Sequence, residues 1–125
     1  MSTPTLPVSS ASLWVAACGR DRLIRERGVA VLLPDAAQAA LFRTHGDELY
    51  AVGNIDPFSG AAVMSRGIVG DRAGEPTVAS PMLKQVFSLR TGRCLDDPDV
   101  ALATYAVRVR AGVVEVCSRP GEAGV

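Results

Sequence analysis

Residues 54–62 read NIDPFSGAA and residues 80–87 read SPMLKQVF. Each has the make-up of a tight, proline-stiffened loop. Asp56 and Ser80 both precede a proline, which biases their backbones to the extended region and leaves each short polar side chain free to bond within its own turn. Neither stretch contains a cysteine or a histidine, so loops with the build of a ligand cradle lack the usual metal ligands.

From Gly53 to Leu95 the chain carries Pro57, Pro76 and Pro81 among Gly53, Gly60, Gly67, Gly70, Gly74 and Gly92, and long strands vanish. A loop-rich stretch of this length inside a compact domain is usually functional. On either side the apolar pieces are short and rich in Val, Ala and Leu: SLWVAA, GVAVLL, QAALFR, ELYAVG, YAVRVR and VVEVC, separated by turn formers. Tyr105, Val107 and Val109 alternate with Ala106, Arg108 and Arg110, the period of two that marks a strand with one buried face. TYAVRVR-AG-VVEVCS reads as a closing hairpin. Helical periodicity is thin, with at most one turn in GRDRLIRERG and another in DDPDVAL.

An all-β barrel or sandwich follows, with a base from residues 12–53 and 96–117 and a smaller loop-rich lobe from 54–95. Residues 1–11 and 118–125 have the composition of mobile tails around one domain spanning 12–117. No internal repeat stands out.

The 125 residues suit one domain, with roughly two thirds of the unfolded surface buried on folding. Thirteen basic side chains balance thirteen acidic ones, so charge implies no general attraction to nucleic acid or anionic membrane. Purely apolar runs such as Val29 to Leu33 are far below the ~20 residues that cross a bilayer, and MSTPTLPVSS lacks the basic start and apolar core of a secretion signal. The expectation is a soluble, non-secreted chain. Cys18, Cys94 and Cys117 have no C-x-x-C spacing and no histidine nearby, and read as reduced, mostly buried thiols. His45, in RTHGDELY, reads as an exposed turn residue.

N-I-D-P-F-S-G-A and S-P-M-L-K-Q-V-F-S-L-R-T-G-R-C-L resemble the two cluster-binding loops of a Rieske domain, which read N-x-C-P-H-x-G-A and C-P-x-H-G-x-x-F-x-L-x-T-G. Asn54, Pro57, Gly60, Ala61, Pro81, Phe87, Leu89, Thr91 and Gly92 fall in register. The resemblance implies a Rieske-like fold. A Rieske centre needs two thiolates on one iron and two imidazoles on the other, and those four positions are Asp56, Phe58, Ser80 and Leu83. Hard oxygen groups, a phenyl ring and an isobutyl group do not make that ligand set, so no cluster is expected. Lys84 replaces the glycine after the second imidazole position. Phe58 and Leu83 are expected to pack on each other and on Met82 as an apolar plug.

With the leading LFR...ELYAVGN, these loops resemble the small subunits of cytoplasmic NAD(P)H-dependent assimilatory nitrite reductase over about residues 12–117. That family implies a large subunit carrying FAD, an iron–sulfur cluster and sirohaem, reducing nitrite to ammonium, with this chain as its cofactor-free partner. The resemblance places the partner-facing surface at the loop tips, around Asp56, Ser59, Ser65, Arg66, Pro81, Met82 and Lys84. Two other readings compete. One is a Rieske-type ferredoxin that delivers electrons to an oxygenase, which the missing ligands oppose. The other is an independent enzyme with Asp56, Ser80 and Lys84 as acid, nucleophile and base, a template that three polar loop residues satisfy too easily.

Overall fold

The computed structural model describes residues 14–121. The expected tail at 1–11, and residues 122–125 of the expected tail at 118–125, lie outside the described residues. Residues 118–121 are described, and the Gly121 N–H donates to the Thr104 carbonyl at 2.8 Å. The start of that second segment is therefore fastened to the domain.

The described residues form strands β1 (Trp14–Gly19), β2 (Arg27–Leu32), β3 (Gln38–Arg43), β4 (Leu49–Gly53), β5 (Ile68–Arg72), β6 (Glu75–Ala79), β7 (Val86–Ser88), β8 (Thr104–Tyr105), β9 (Val107–Arg110) and β10 (Val113–Cys117). Helical structure among them is limited to single 3-10 turns at Arg20–Arg22, Pro34–Ala36 and Met64–Arg66. The all-β expectation holds. Three antiparallel sheets result, ordered β1-β10-β9, β2-β3-β4-β8 and β5-β6-β7.

The middle sheet explains why QAALFR is apolar without a break. Side chains alternate between faces along a strand, and both faces of β3 are covered. Ala39 and Leu41 join Ala51 of β4, Val31 of β2, and Val114 and Val116 of β10 in one buried cluster. Ala40 and Phe42 join Val52 of β4 and the lobe residues Met64, Val78, Phe87, Leu89 and Cys94 in a second. All four of Ala39–Phe42 are fully buried, and each fully buried large apolar side chain in these clusters contributes about 1.5–3 kcal/mol. The lobe thus shares its core with the base.

One expected strand divides. Tyr105 pairs with Ala51 in the middle sheet, whereas Val107 pairs with Val116 in the β1-β10-β9 sheet. Ala106 is the corner, its carbonyl accepting the Cys117 N–H at 2.8 Å. The alternation at 105–110 therefore serves two sheets, and Val109 is left substantially exposed. The β9–β10 hairpin turns at Ala111-Gly112 as expected, with Arg110 opposite Val113. DDPDVAL contains a turn closed by Val100 N–H to the Asp97 carbonyl at 3.1 Å, not a helix. His45 is exposed in the β3–β4 turn, Cys94 and Cys117 are buried, and Cys18 is half-buried. Burial raises the Cys18 thiol above its ordinary value, the reverse of what a reactive thiolate needs.

Candidate functional site

The loops at 54–62 and 80–87 leave the ends of β4 and β6 and meet side by side. Each is a five-residue turn of one construction. In the first, the Asp56 N–H donates to the Ala61 carbonyl (2.8 Å), the Gly60 N–H donates to the Asp56 carbonyl (2.7 Å), and the Phe58 N–H donates to Asp56 Oδ1 (2.9 Å). In the second, the Ser80 N–H donates to the Gln85 carbonyl (2.9 Å), the Lys84 N–H to the Ser80 carbonyl (3.0 Å), and the Met82 N–H to Ser80 Oγ (3.2 Å). A third copy follows at Ser88–Gly92, where the same bonds run from Ser88 N–H to Arg93, from Gly92 N–H to Ser88, and from Arg90 N–H to Ser88 Oγ. The fifth residue of each turn is left-handed: φ is 78° at Gly60, 65° at Lys84 and 77° at Gly92. Sequence reading found no repeat because the unit is five residues long. Its signal is an Asp or Ser followed four residues later by Gly, with Lys84 the exception.

The first residues of the two loops also bond to each other. The Ser80 hydroxyl donates to Asp56 Oδ2 at 2.6 Å, with both side chains buried. Sequence reading expected these side chains to bond within their own turns, which they do, but missed this link between loops. Burial alone would raise the Asp56 carboxyl. Donation from the Ser80 hydroxyl, the Phe58 amide and Ser59 outweighs it and holds the group below its ordinary value. Asn54, also buried, anchors the base of the first loop. Its Nδ2 donates to Gln38 Oε1 (2.9 Å), and its Oδ1 accepts the Ser65 N–H (2.7 Å).

The expected apolar plug takes a different form. Phe58 turns inward onto Phe87, with ring centroids 6.1 Å apart, and joins the core shared with the base. Leu83 and Met82 are each 53% exposed and lie outside that cluster. The reason is the turn itself, which directs residues 82 and 83 to its tip while Phe87, on β7, supplies the apolar surface that Phe58 needs. Of the residues expected at a partner-facing surface, Ser59, Arg66, Pro81, Met82 and Lys84 are exposed and Ser65 is half-buried. Asp56 is fully buried and belongs beneath that surface, not on it. Lys84, Asp56 and Ser80 are not joined as a catalytic set. The hydroxyl that would be the nucleophile is committed to a carboxylate held ionised, while Lys84 is out at the loop tip.

The residues do not fit an iron–sulfur cluster. The two positions for thiolates carry oxygens bonded to one another, one position for an imidazole is a ring packed on Phe87, and the other is an exposed leucine. Among the described residues no three His, Cys, Asp or Glu side chains gather as a metal site.

The family model described as the Rieske-like [2Fe-2S] domain matches residues 13–117. The nitrite reductase (NADH) small subunit of Escherichia coli strain K12 is 42% identical over 106 residues, 84% of this chain and 97% of that one. A crystal structure of a protein assigned as an NADH-dependent nitrite reductase small subunit from Mycobacterium tuberculosis is 58% identical. It superposes with a TM-score of 0.80 over 82% of this chain and 92% of that one. A nitrite reductase [NAD(P)H] large subunit from Klebsiella oxytoca is 42% identical over 113 residues, 90% of this chain but only 11% of that one. Rieske-like in fold and lacking the ligands that define a Rieske centre, the chain belongs to the family of nitrite reductase small subunits.

Proposed function

We propose that the chain is the non-redox small subunit of an NAD(P)H-dependent nitrite reductase that converts nitrite to ammonium in nitrate assimilation, working as a protein partner of a large catalytic chain in the cytoplasm. FAD, an iron–sulfur cluster and sirohaem would all reside on the large chain. The observation that carries this reading is a pair of stapled loops without metal ligands whose tip, Pro81–Lys84, is exposed and partly apolar. Held in shape and half-uncovered, Met82 is suited to anchor an interface, and Arg66 and Lys84 to make charge-assisted contacts around it. The Klebsiella large subunit supports the pairing, since it carries a segment similar to this chain within one much longer polypeptide. Among the described residues no helix is long and apolar enough to cross a membrane.

Co-expression with the large subunit and affinity purification tests the reading. The chain should retain the large subunit, and the mixture should reduce nitrite with NADH or NADPH. The double substitution Arg66→Glu, Lys84→Glu should leave unfolding within about 1 kcal/mol of the parent, as exposed changes usually do, while weakening retention and nitrite reduction together. Undiminished binding by the double variant would move the docking face off the loop tips.

A further inference from the structure

β2 is an outer strand of the β2-β3-β4-β8 sheet, and its six residues pair with β3 without a bulge. Its outward groups can be identified. The Leu33 N–H donates to the Ala37 carbonyl in the same register that sets Val31 opposite Ala39, so Val29 and Val31 bond to β3, while at the strand's start the Glu26 N–H donates to the Arg43 carbonyl and the Arg27 N–H turns to the Ile24 carbonyl. Gly28, Ala30 and Leu32 therefore turn their N–H and C=O groups away from the sheet, and among the described residues no strand lies beyond them.

Edges of this kind are normally blunted. β1 has a bulge between Ala16 and Cys18, β7 and β8 have three and two residues, and β5 and β9 end in Asp71-Arg72 and Arg108 to Arg110. From Gly28 to Leu32, β2 has no proline, charged residue or break in register, and it exposes Val29 (37%) and Leu32 (74%).

At its N-terminal end the edge opens into a groove of about 620 Å³ between β2 and β5. Three arginines line it, Arg25, Arg27 and Arg66, together with Glu26 and the exposed Ile68. Arg25 is held by Asp47 at 2.7 Å. The Arg27 and Arg66 guanidinium groups have no partner among the described residues. A free strand edge, apolar side chains beside it and unpaired cations at one end are the requirements for adding an extended acidic segment as a further strand.

We propose that β2 is a strand-addition site: an extended segment of the large subunit, carrying apolar residues and at least one carboxylate, pairs with the outer edge of Arg27–Leu32 and lays its acidic end in the groove against Arg27 and Arg66. The proposal rests on the small-subunit reading and deepens it, because the groove's Ser65 donates its N–H to Asn54, which anchors the base of the first loop. A second copy of β2 fits less well. It would bring Arg25 and Arg27 again with only Glu26 to offset them, placing cations beside cations.

The test is the dissociation constant for the purified large subunit, measured by calorimetry for the parent and three variants. Ala30→Pro removes an outward N–H without touching the β3 ladder. Arg27→Glu with Leu32→Asp changes the edge's side chains and decides the matter if the proline variant does not fold. Met82→Asp changes only the loop tip. Edge variants that keep the parent's far-ultraviolet spectrum should bind at least tenfold more weakly, and the affinity of the Arg27→Glu, Leu32→Asp variant should depend less on salt. Edge variants that bind like the parent, while Met82→Asp binds weakly, overturn strand addition and leave the small-subunit reading standing. A parent chain that does not bind the large subunit removes that reading and this proposal with it. A concentration-dependent dimer of the parent that Ala30→Pro abolishes would make the occupant a second copy and overturn the proposal.

Discussion

Asp56 and Ser80 show how a pair of ligand positions becomes a pair of structural ones. The Asp56 carboxylate accepts from the Ser80 hydroxyl and from the Phe58 amide, all in a buried setting where each lost partner leaves another group unsatisfied. Asp56→Ala should therefore cost about 3 kcal/mol and Ser80→Ala about 2 kcal/mol, while the double variant costs clearly less than their sum because both remove one shared bond. Chemical unfolding of the four proteins gives that cycle, and strict additivity would deny the link. The same pair sets a pH dependence. The Asp56 carboxyl titrates lower in the folded chain than unfolded, so its contribution is complete above the ordinary carboxylate value of about 4 and is lost as pH falls through the folded value. Between pH 7 and pH 3 the parent should lose more thermal stability than Asp56→Asn, and parallel curves would count against the assignment. The sequence marked both positions through the proline that follows each and through the loop pattern. It did not show that residues 24 apart bond to each other, because that depends on how β4 and β6 deliver their loops.

At the scale of elements, the base strands were legible, the lobe strands β5, β6 and β7 were hidden among the prolines and glycines of 53–95, and the turns were only partly legible. QAALFR, ELYAVG and VVEVC announce β3, β4 and β10 because burial against neighbouring layers selects their side chains directly. The split of 104–110 between two sheets was not legible, since alternation is the same whichever sheet receives it. Nor was the inward path of Phe58, which depends on Phe87 lying 29 residues further along. The three five-residue turns share a left-handed fifth residue, but their surroundings differ, and this separates two glycines that look alike in sequence. A Cβ at Gly60 would meet nothing within 4 Å, so Gly60→Ala bears only the left-handed strain, about 1 kcal/mol. A Cβ at Gly92 would lie 2.2 Å from the Leu102 carbonyl oxygen, which is backbone and cannot step aside. Gly92→Ala should cost several times as much and loosen the Arg93–Ala101 bridge that ties the lobe to the base. Thermal unfolding of the two variants provides the comparison, and equal losses would show that the clash relaxes away. Lys84 tolerates the same conformation at φ 65°, so Lys84→Gly should not destabilise the chain.

Across the whole molecule, the lobe keeps the shape of a metal-binding structure through contacts that need no metal. Its two loops are joined by Asp56 and Ser80, the first is pinned to the base by Asn54 on Gln38 and to β7 by Phe58 on Phe87, and the lobe's apolar residues share one core with β3 and β4. In a Rieske centre the cluster itself joins the two loops, and its loss removes the bonds between them. Here the joining bond is part of the polypeptide. The chain produced in iron-replete, anaerobic culture should therefore be colourless and contain no stoichiometric iron. Prolonged dialysis against a strong chelator should leave both its unfolding midpoint and the cooperativity of its transition unchanged. Asp56→Ala should separate the two halves of this argument, lowering the midpoint to the same extent with and without chelator. About two irons per chain, visible absorption, or a midpoint that falls on chelation would mean that metal holds the loops after all. The oxygen pair could not then be the element that replaced it.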